Sequence, residues 1–460
     1  MQSIPTVHAT SMAQSGEHYQ VAIVGAGVAG LTLALAFERF GISYALFEAH
    51  GALVSGAGAG VGLQPNGERI LEQLGVQDDV EEATAPISTW YFLDSEGKLI
   101  STSDFMGHYA SKTGYPFVFI ERSQLLQILS SKLQGNGLIR LSSRIASIQE
   151  NDDFVTVATT DGFSVTADMV VGADGVRSCV RSFIDSPHPE NIYPGDDYMS
   201  VEFVSAFGVS SYTTGLPLGE RWSVFNEKVV LNGFTGKDGV SFWFVFEHLG
   251  RRYPLSKSQR YTTADAEALC ESVAHMKITP GVLFGSVYAN RKQAIKLSLE
   301  EGVATKWHTH RAVIVGDAAH KMMPHGGQGA NFAIEDSAVL TNEIRKVLKA
   351  SPDGKLPRDA LYAAFKSFSE QRTERSAEAV ESAAVTCNAQ LLLSSEAQAY
   401  IHEIATISEE DHLSKSLMAF VDAPVFDDIE LTARGRHYDK AMESLKVAMK
   451  AKYGETLKQC

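Results

Sequence analysis

The 460 residues read as an α/β protein: one sheet domain built on a glycine turn, a second aromatic sheet domain, and a helical C-terminal segment. Three observations lead there. "GAGVAG" closes an apolar run near the N-terminus, an aromatic stretch alternates with period two between Tyr198 and Arg291, and the apolar spacing turns helical after Gly316. With 44% hydrophobic residues the chain can bury more than one core, which excludes a disordered protein.

The first element is a strand over Val21 to Val24, followed by Gly25, Gly27 and Gly30 at G-x-G-x-x-G spacing. Leu31, Leu35 and Phe37 then recur as on a helix, Ser43 to Phe47 supplies a second strand, and Glu48 ends it. In such a Rossmann-like unit the first glycine permits the turn, the second lets the backbone approach a pyrophosphate, and the third lets helix pack on strand. The helix N-terminus attracts phosphate, and the terminal acid accepts hydrogen bonds from a ribose. Dinucleotide binding is the expectation, and the motif alone leaves FAD and NAD both open.

Between Ser143 and Val171 short alternating strands are punctuated by Asn151-Asp152-Asp153 and Asp161-Gly162, as in an antiparallel meander that runs into "ADMVVGADG". From Tyr198 to Arg291, "YMSVEFV", "RWSVFN" and "VSFWFVF" form the second sheet. Phe242, Phe244 and Phe246 share one of its faces and Trp243 takes the other. That aromatic face fits either ordinary core or a substrate wall, and Tyr115 and Trp90 carry the same pair of readings.

The net charge of −15 (40 basic against 55 acidic residues), without a basic run, argues against nucleic acid as a partner. Cys179, Cys270, Cys387 and Cys460 lie too far apart for a disulfide framework or a metal site, so reduced thiols and no metal are expected. The first eighteen residues read as a loose polar tail without a signal peptide. The apolar stretch Ala383 to Ser395 falls short of the roughly 20 residues that cross a bilayer, so a soluble, cytoplasmic protein without a membrane span is expected.

Taken in order, the N-terminal G-x-G-x-x-G, the mid-chain Asp174-Gly175 pair and the late Gly316-Asp317 pair resemble the class A FAD-dependent monooxygenases of the aromatic hydroxylase type. "GAGVGLQPNGERILEQLG", "YPFVFIERSQLLQIL", "GKDGVSFWFVF" and "VIVGDAAHKMMPHGGQGANFAIEDSAVL" are similar to the fungal branch that oxidises prenyl chains in meroterpenoid and indole-diterpene pathways. The resemblance covers roughly Val21 to Arg375. It implies FAD as cofactor, NADPH and O2 as co-substrates, and a C4a-hydroperoxyflavin that passes one oxygen to a hydrophobic small molecule.

It also implies residue roles. Asp317 would hold the ribityl chain, Arg122 would reach back to FAD from a helix start, and Asp174 and Gly175, with Arg177 and Arg181 nearby, would lie close to the pyrophosphate and to the incoming NADPH. The loop Pro324, His325, Gly326, Gly327, Gly329, Ala330 and Asn331 would lie beside the flavin ring, where a helix dipole starting near Gly329 would stabilise the reduced ring. No residue is assigned as catalytic. Met323 and His325 replace a threonine and an asparagine usual in the branch, and the C-terminal membrane helices frequent there have no counterpart. His320 and His325 are expected to pack or cap, and Lys321 to be a solvated charge.

The expected division is a tail (1–18), a discontinuous FAD-binding domain (19–195 and 292–390), a substrate sheet domain (196–291) and a helical segment (391–460). The expected reaction is epoxidation of a prenyl alkene, with aromatic hydroxylation, or a flavin-binding module without turnover, as the alternatives. Such a module would use the amphipathic "YDKAMESLKVAMKAKYG" as a partner surface.

Overall fold

The chain is described by a computed structural model over residues 16–54, 58, 60–185, 198–393 and 396–454. Most of the expected tail lies outside these residues, but its last residue, His18, already belongs to the first strand.

The first sheet places Leu138–Arg140, Tyr44–Phe47, His18–Val24 and Ser164–Gly172 side by side in parallel, with Ala312–Ile314 parallel to the far half of Ser164–Gly172. Its register aligns Val24 with Phe47 and Gly172, and Gly172 with Ile314. The residues that follow, Gly25, Glu48, Ala173-Asp174 and Gly316-Asp317, therefore emerge together at the carboxyl edge of the sheet, although up to about 290 positions separate them in sequence. The meander Ile145–Glu150, Val155–Thr159, Ser164–Gly172 is antiparallel, as its turn residues require.

Helix Val28–Phe40 lies against this sheet and against the long helix Gly329–Ala350, which explains why Ala29 to Phe37 are all buried. It stops at Gly41, whose φ of 68° supplies the left-handed cap.

The second sheet has eight strands in the order His320–Lys321, Arg291–Val303, Ser200–Ser210, Ser241–Pro254, Val229–Thr235, Glu220–Val224, Thr89–Leu93 and Leu99–Ser103. The segment 196–291 supplies its four central strands, while both edges come from parts of the chain assigned by sequence to the other domain. Sheet edges completed by distant strands carry no local sequence signal, so the expected division at 196 and 291 cuts through one hydrogen-bonded sheet.

One face of this sheet buries Phe203, Phe207, Phe234, Phe242, Phe244 and Phe246 against Phe117, Phe119, Met322, Met323 and the C-terminal helices. The other buries Trp222, Trp243 and Val245 under helices Thr263–Ser272 and Phe284–Ala289. The last helix, Ala433–Tyr453, buries Tyr438, Met442 and Met449. It pairs Asp439 with Arg69 and Arg434 with Glu81, so the amphipathic stretch considered as a partner surface packs on its own chain.

Candidate active site

Each glycine of the first motif answers to a different neighbour. A Cβ at position 25 would sit 2.5 Å from the Ala173 carbonyl oxygen, and the φ of 100° there is itself a glycine conformation. A Cβ at position 30 would lie 1.9 Å from the Gly25 carbonyl oxygen. Position 27 is open: its nearest neighbour would be the Arg122 guanidinium at 3.8 Å. Two glycines therefore serve the packing of turn and helix, and the third leaves a bare backbone face overlooked by a cation.

Glu48 is fixed from both sides. Its Oε2 accepts from the Ala26 N–H at 2.9 Å, and its Oε1 accepts from the His50 N–H at 2.8 Å and contacts the His50 ring at 2.6 Å. Burial alone would raise its pKa; those backbone N–H groups and His50 outweigh it and hold the carboxyl below its usual range.

Helix Val28–Phe40 starts at Gly27, and helix Gly329–Ala350 starts after Gln328, each without a side-chain cap. Their first-turn N–H groups are left to an external acceptor. Arg122, the first residue of helix Arg122–Ser131, leans towards the first of these turns.

Asp174 accepts from the Cys179 N–H at 2.7 Å at the start of helix Cys179–Asp185, and its other oxygen is buried without a partner among the described residues. Gly175 supplies a φ of 76°. Arg181 is buried and donates to the carbonyls of Ala318 and Val176, so it ties the two motifs together, whereas Arg177 is half-exposed, 4.0 Å from Glu300. Asp317 is partly exposed and pairs with Lys321. The Asp317 and Glu300 charges outweigh the burial of the Lys321 ammonium and hold its pKa above the usual range. Lys321 is therefore a partner of the motif's acid and not the solvated charge its sequence position suggested.

A buried polar network sets the loop Pro324–Asn331. Asp336 and Glu335 are fully buried. Asp336 accepts from the Gly316 N–H at 2.8 Å, from Arg372 at 2.7 Å and lies 2.7 Å from His320. Glu335 is held by Arg372, Arg375 and Asn66 at 2.6 to 2.9 Å. From Asn66 the network continues through Gln328 to Gln64, whose amide donates to the Gly326 and Gly327 carbonyls at 2.9 and 3.1 Å. Asn331 receives the Gln64 N–H and donates to the Gly62 and Gly327 carbonyls. Its side chain is committed to the loop, so what Asn331, like Gly329 and Ala330, offers outward is backbone at a helix start. His320 is a buried structural partner of Asp336.

The loop delivers His325 into the aromatic layer. Its ring lies 4.3 Å from Phe246, and neither nitrogen has a partner among the described residues. Burial, with the Arg221 charge adding to it, pushes the imidazole down to about 3, so it is neutral at physiological pH. Met322 and Met323 are buried in the same layer. Gly60 and Gly62 open room for it, since a Cβ at Gly60 would overlap the Phe119 and Phe242 rings and one at Gly62 would crowd Phe117.

Arg221 is the residue that sequence reasoning missed. Strand alternation puts it, with Ser223, on the aromatic face, and the register sets it between Trp90 and Phe234 on the two neighbouring strands. The alternation within "ERWSV" sets Arg221 opposite Trp222 and Val224, which by itself reads as an outward position, so no advance signal marked it. Trp90 and Tyr115 are both buried in the layer; Tyr115 donates to Glu72 at 2.6 Å, while the Trp90 ring faces Arg221.

A cleft of about 820 Å³ opens elsewhere, among Ile148, Trp307, His308, His310, Arg358 and Tyr362, and contains none of the motif residues. Among the described residues no cluster of His, Cys, Asp and Glu could hold a metal, and no helix is long and apolar enough to cross a membrane.

A glycine turn at an uncapped helix start, a fixed acid after the second strand and an aromatic layer beyond the loop are the features of a dinucleotide-binding site set beside an apolar layer. Residues 18–382 match the family described as FAD binding domain, and the chain belongs to it. The FAD-dependent monooxygenase atmM of Aspergillus flavus is 36% identical over 368 residues, 78% of this chain and 76% of its own length. The FAD-dependent monooxygenase paxM of Penicillium paxilli is 36% identical over 334 residues, covering 72% and 70%. The crystal structure of Klebsiella pneumoniae HpxO complexed with FAD and uric acid superposes with a TM-score of 0.71 at 21% identity, over 87% of this chain and 96% of that one. CtdE in complex with FAD and a substrate gives 0.68 at 18%, over 94% and 99%. This protein is an FAD-dependent monooxygenase of the fungal type.

Proposed function

We propose that the enzyme consumes NADPH and O2 to epoxidise a prenyl alkene on a hydrophobic natural product, with its FAD held by the motif residues at the carboxyl edge of the first sheet. Bound there, FAD would supply hydride acceptance from the nicotinamide and activation of O2 for transfer of one oxygen atom. The residues present fit that group. Gly27 and Arg122 would hold the pyrophosphate, Glu48 the adenosine ribose and Asp317 the ribityl chain. Asp174 and Gly175 would lie nearby, and the backbone of Gly327, Gly329, Ala330 and Asn331, at the start of helix Gly329–Ala350, would meet the ring edge with the helix dipole behind it.

The other task of the chain is to keep water from the oxygen-transferring face. Phe117, Phe119, Phe234, Phe242, Phe244, Phe246, Met322 and Met323 do this by being buried together beside the loop. Hydroxylation of a phenol gains from a base that removes its proton, whereas oxygen transfer to an electron-rich alkene needs none. The alkene therefore asks no base of the site, and the observation that carries the reading is the layer itself, whose buried Phe and Met side chains give an apolar prenyl tail a surface beside the loop.

The test is incubation of the FAD-loaded enzyme with NADPH, ¹⁸O2 and a panel of prenylated aromatics. Label in an oxirane supports the proposal, and label on a ring carbon overturns it in favour of aromatic hydroxylation.

A further inference from the structure

Arg221 is a buried cation without a paired anion among the described residues. Its side chain is more than nine-tenths buried, its Nε has no hydrogen-bond partner, and no carboxylate lies within ion-pair distance of it among the described residues. The guanidinium carbon stands 3.4 Å from the centre of the Trp90 ring and 5.0 Å from that of Phe234. Two aromatic faces offset only part of the cost of removing a guanidinium from water.

The ionisable groups that sense its charge do not neutralise it. His325 stands on the loop side, and His412 in helix Glu409–Leu417 on the other; burial first, and the Arg221 charge after it, keep both imidazoles neutral. The phenols of Tyr109 and Tyr400 are raised by burial and stay protonated. The neighbouring acid, Glu220, lies on the opposite face of the strand and bonds to Tyr91. Burial pushes Arg221 itself down to about 9, which leaves it charged at neutral pH.

We infer that Arg221, held between the Trp90 and Phe234 rings, is the anchor for an acidic head group of the substrate, such as a phenol or carboxylate, gripped as an oxyanion at the guanidinium edge. A planar guanidinium suits such a group because it donates along a fixed edge while its faces stay stacked. The inference rests on the aromatic layer being the substrate site, as proposed above, and is independent of which carbon receives the oxygen.

The test is calorimetric titration of the FAD-loaded enzyme with a prenylated hydroxyarene and its O-methyl ether, which share size and tail but differ in the acidic proton. The expected result is about 10- to 100-fold tighter binding of the free acid, the range of one charge-assisted hydrogen bond. In Arg221→Met that preference should vanish while the ether binds as before and FAD occupancy and thermal stability hold. Arg221→Lys should keep part of it. Equal affinity of the wild-type enzyme for acid and ether, or a preference that survives in Arg221→Met, would overturn the inference, as would an Arg221→Met protein that unfolds because the stacking alone was structural. If neither compound binds, the aromatic layer is not the substrate site and both readings fall. If the acid is preferred but ¹⁸O enters the ring, only the epoxidation reading falls.

Discussion

The loop network and the aromatic layer lie on two sides of the same stretch, Gly316–Asn331, and treat buried polar atoms in opposite ways. Behind the loop, Asp336, Glu335, Arg372, Arg375, Asn66, Gln328, Gln64 and Asn331 form a chain of charge-paired and hydrogen-bonded groups. In front of it, His325 and Arg221 carry nitrogens without partners in an apolar surround. The network fixes a backbone geometry although Asn66 Oδ1 and His320 Nδ1 within it are buried without a partner among the described residues, whereas the His325 ring and the Arg221 Nε have no such network around them, and leaving them buried is costly. On the function proposed above, the difference separates the part of the site that would position the cofactor from the part that would receive the substrate.

The most severe way to break the positioning side is Gly30→Ala. A Cβ 1.9 Å from the Gly25 carbonyl oxygen forces turn and helix apart, and the expected outcome is loss of stably bound flavin absorbance at 450 nm or loss of soluble protein. A fully yellow, stable variant would contradict the packing role of that glycine.

Arg372→Met comes next. It strips a partner from two fully buried carboxylates and should cost about 3–5 kcal/mol in urea unfolding. The same network sets an acid limit. Burial alone would raise Glu335, but Arg375 and Arg372 outweigh it and lower the carboxyl from 4.5 to about 2. With the folded value depressed, its stabilisation is complete above pH 4.5 and disappears as the pH falls towards 2. Thermal unfolding followed from pH 7 to pH 3 should show that loss in the wild type and a smaller one in Arg372→Met.

The gentlest is Asp317→Ala. The acid is partly exposed and already paired with Lys321, so FAD affinity should fall by a few-fold to about tenfold, read by flavin fluorescence. Unchanged affinity would remove Asp317 from the ribityl chain.

Local signals carried much of this organisation. The glycine turn, both Phe-lined strands, the meander and the helical C-terminal half each follow from spacing within a few residues. What brings Gly25, Glu48, Asp174 and Asp317 to one edge is parallel strand register, which only the resemblance to a known family suggested in advance. The loop network stayed hidden because Gln64 and Asn66 meet Gln328 and Glu335 across more than 260 residues. Lys321 was misread for the same kind of reason: a lysine after a strand looks solvated until the turn folds it back on Asp317. The aromatic layer was visible as an alternation, but Arg221 within it was not singled out, since one charged residue in such a pattern reads as an outward position until both neighbouring strands are known.

The division between positioning and receiving is tested most directly by one pair of titrations on Glu48→Ala and Arg221→Met, measuring FAD affinity of the apoprotein and substrate affinity of the loaded enzyme. Glu48→Ala should weaken FAD by about tenfold and leave substrate affinity unchanged, because Glu48 serves only the Ala26–His50 side of the turn. Arg221→Met should do the reverse. Two variants that each lower both affinities to the same extent would show one coupled site, and would contradict the separation.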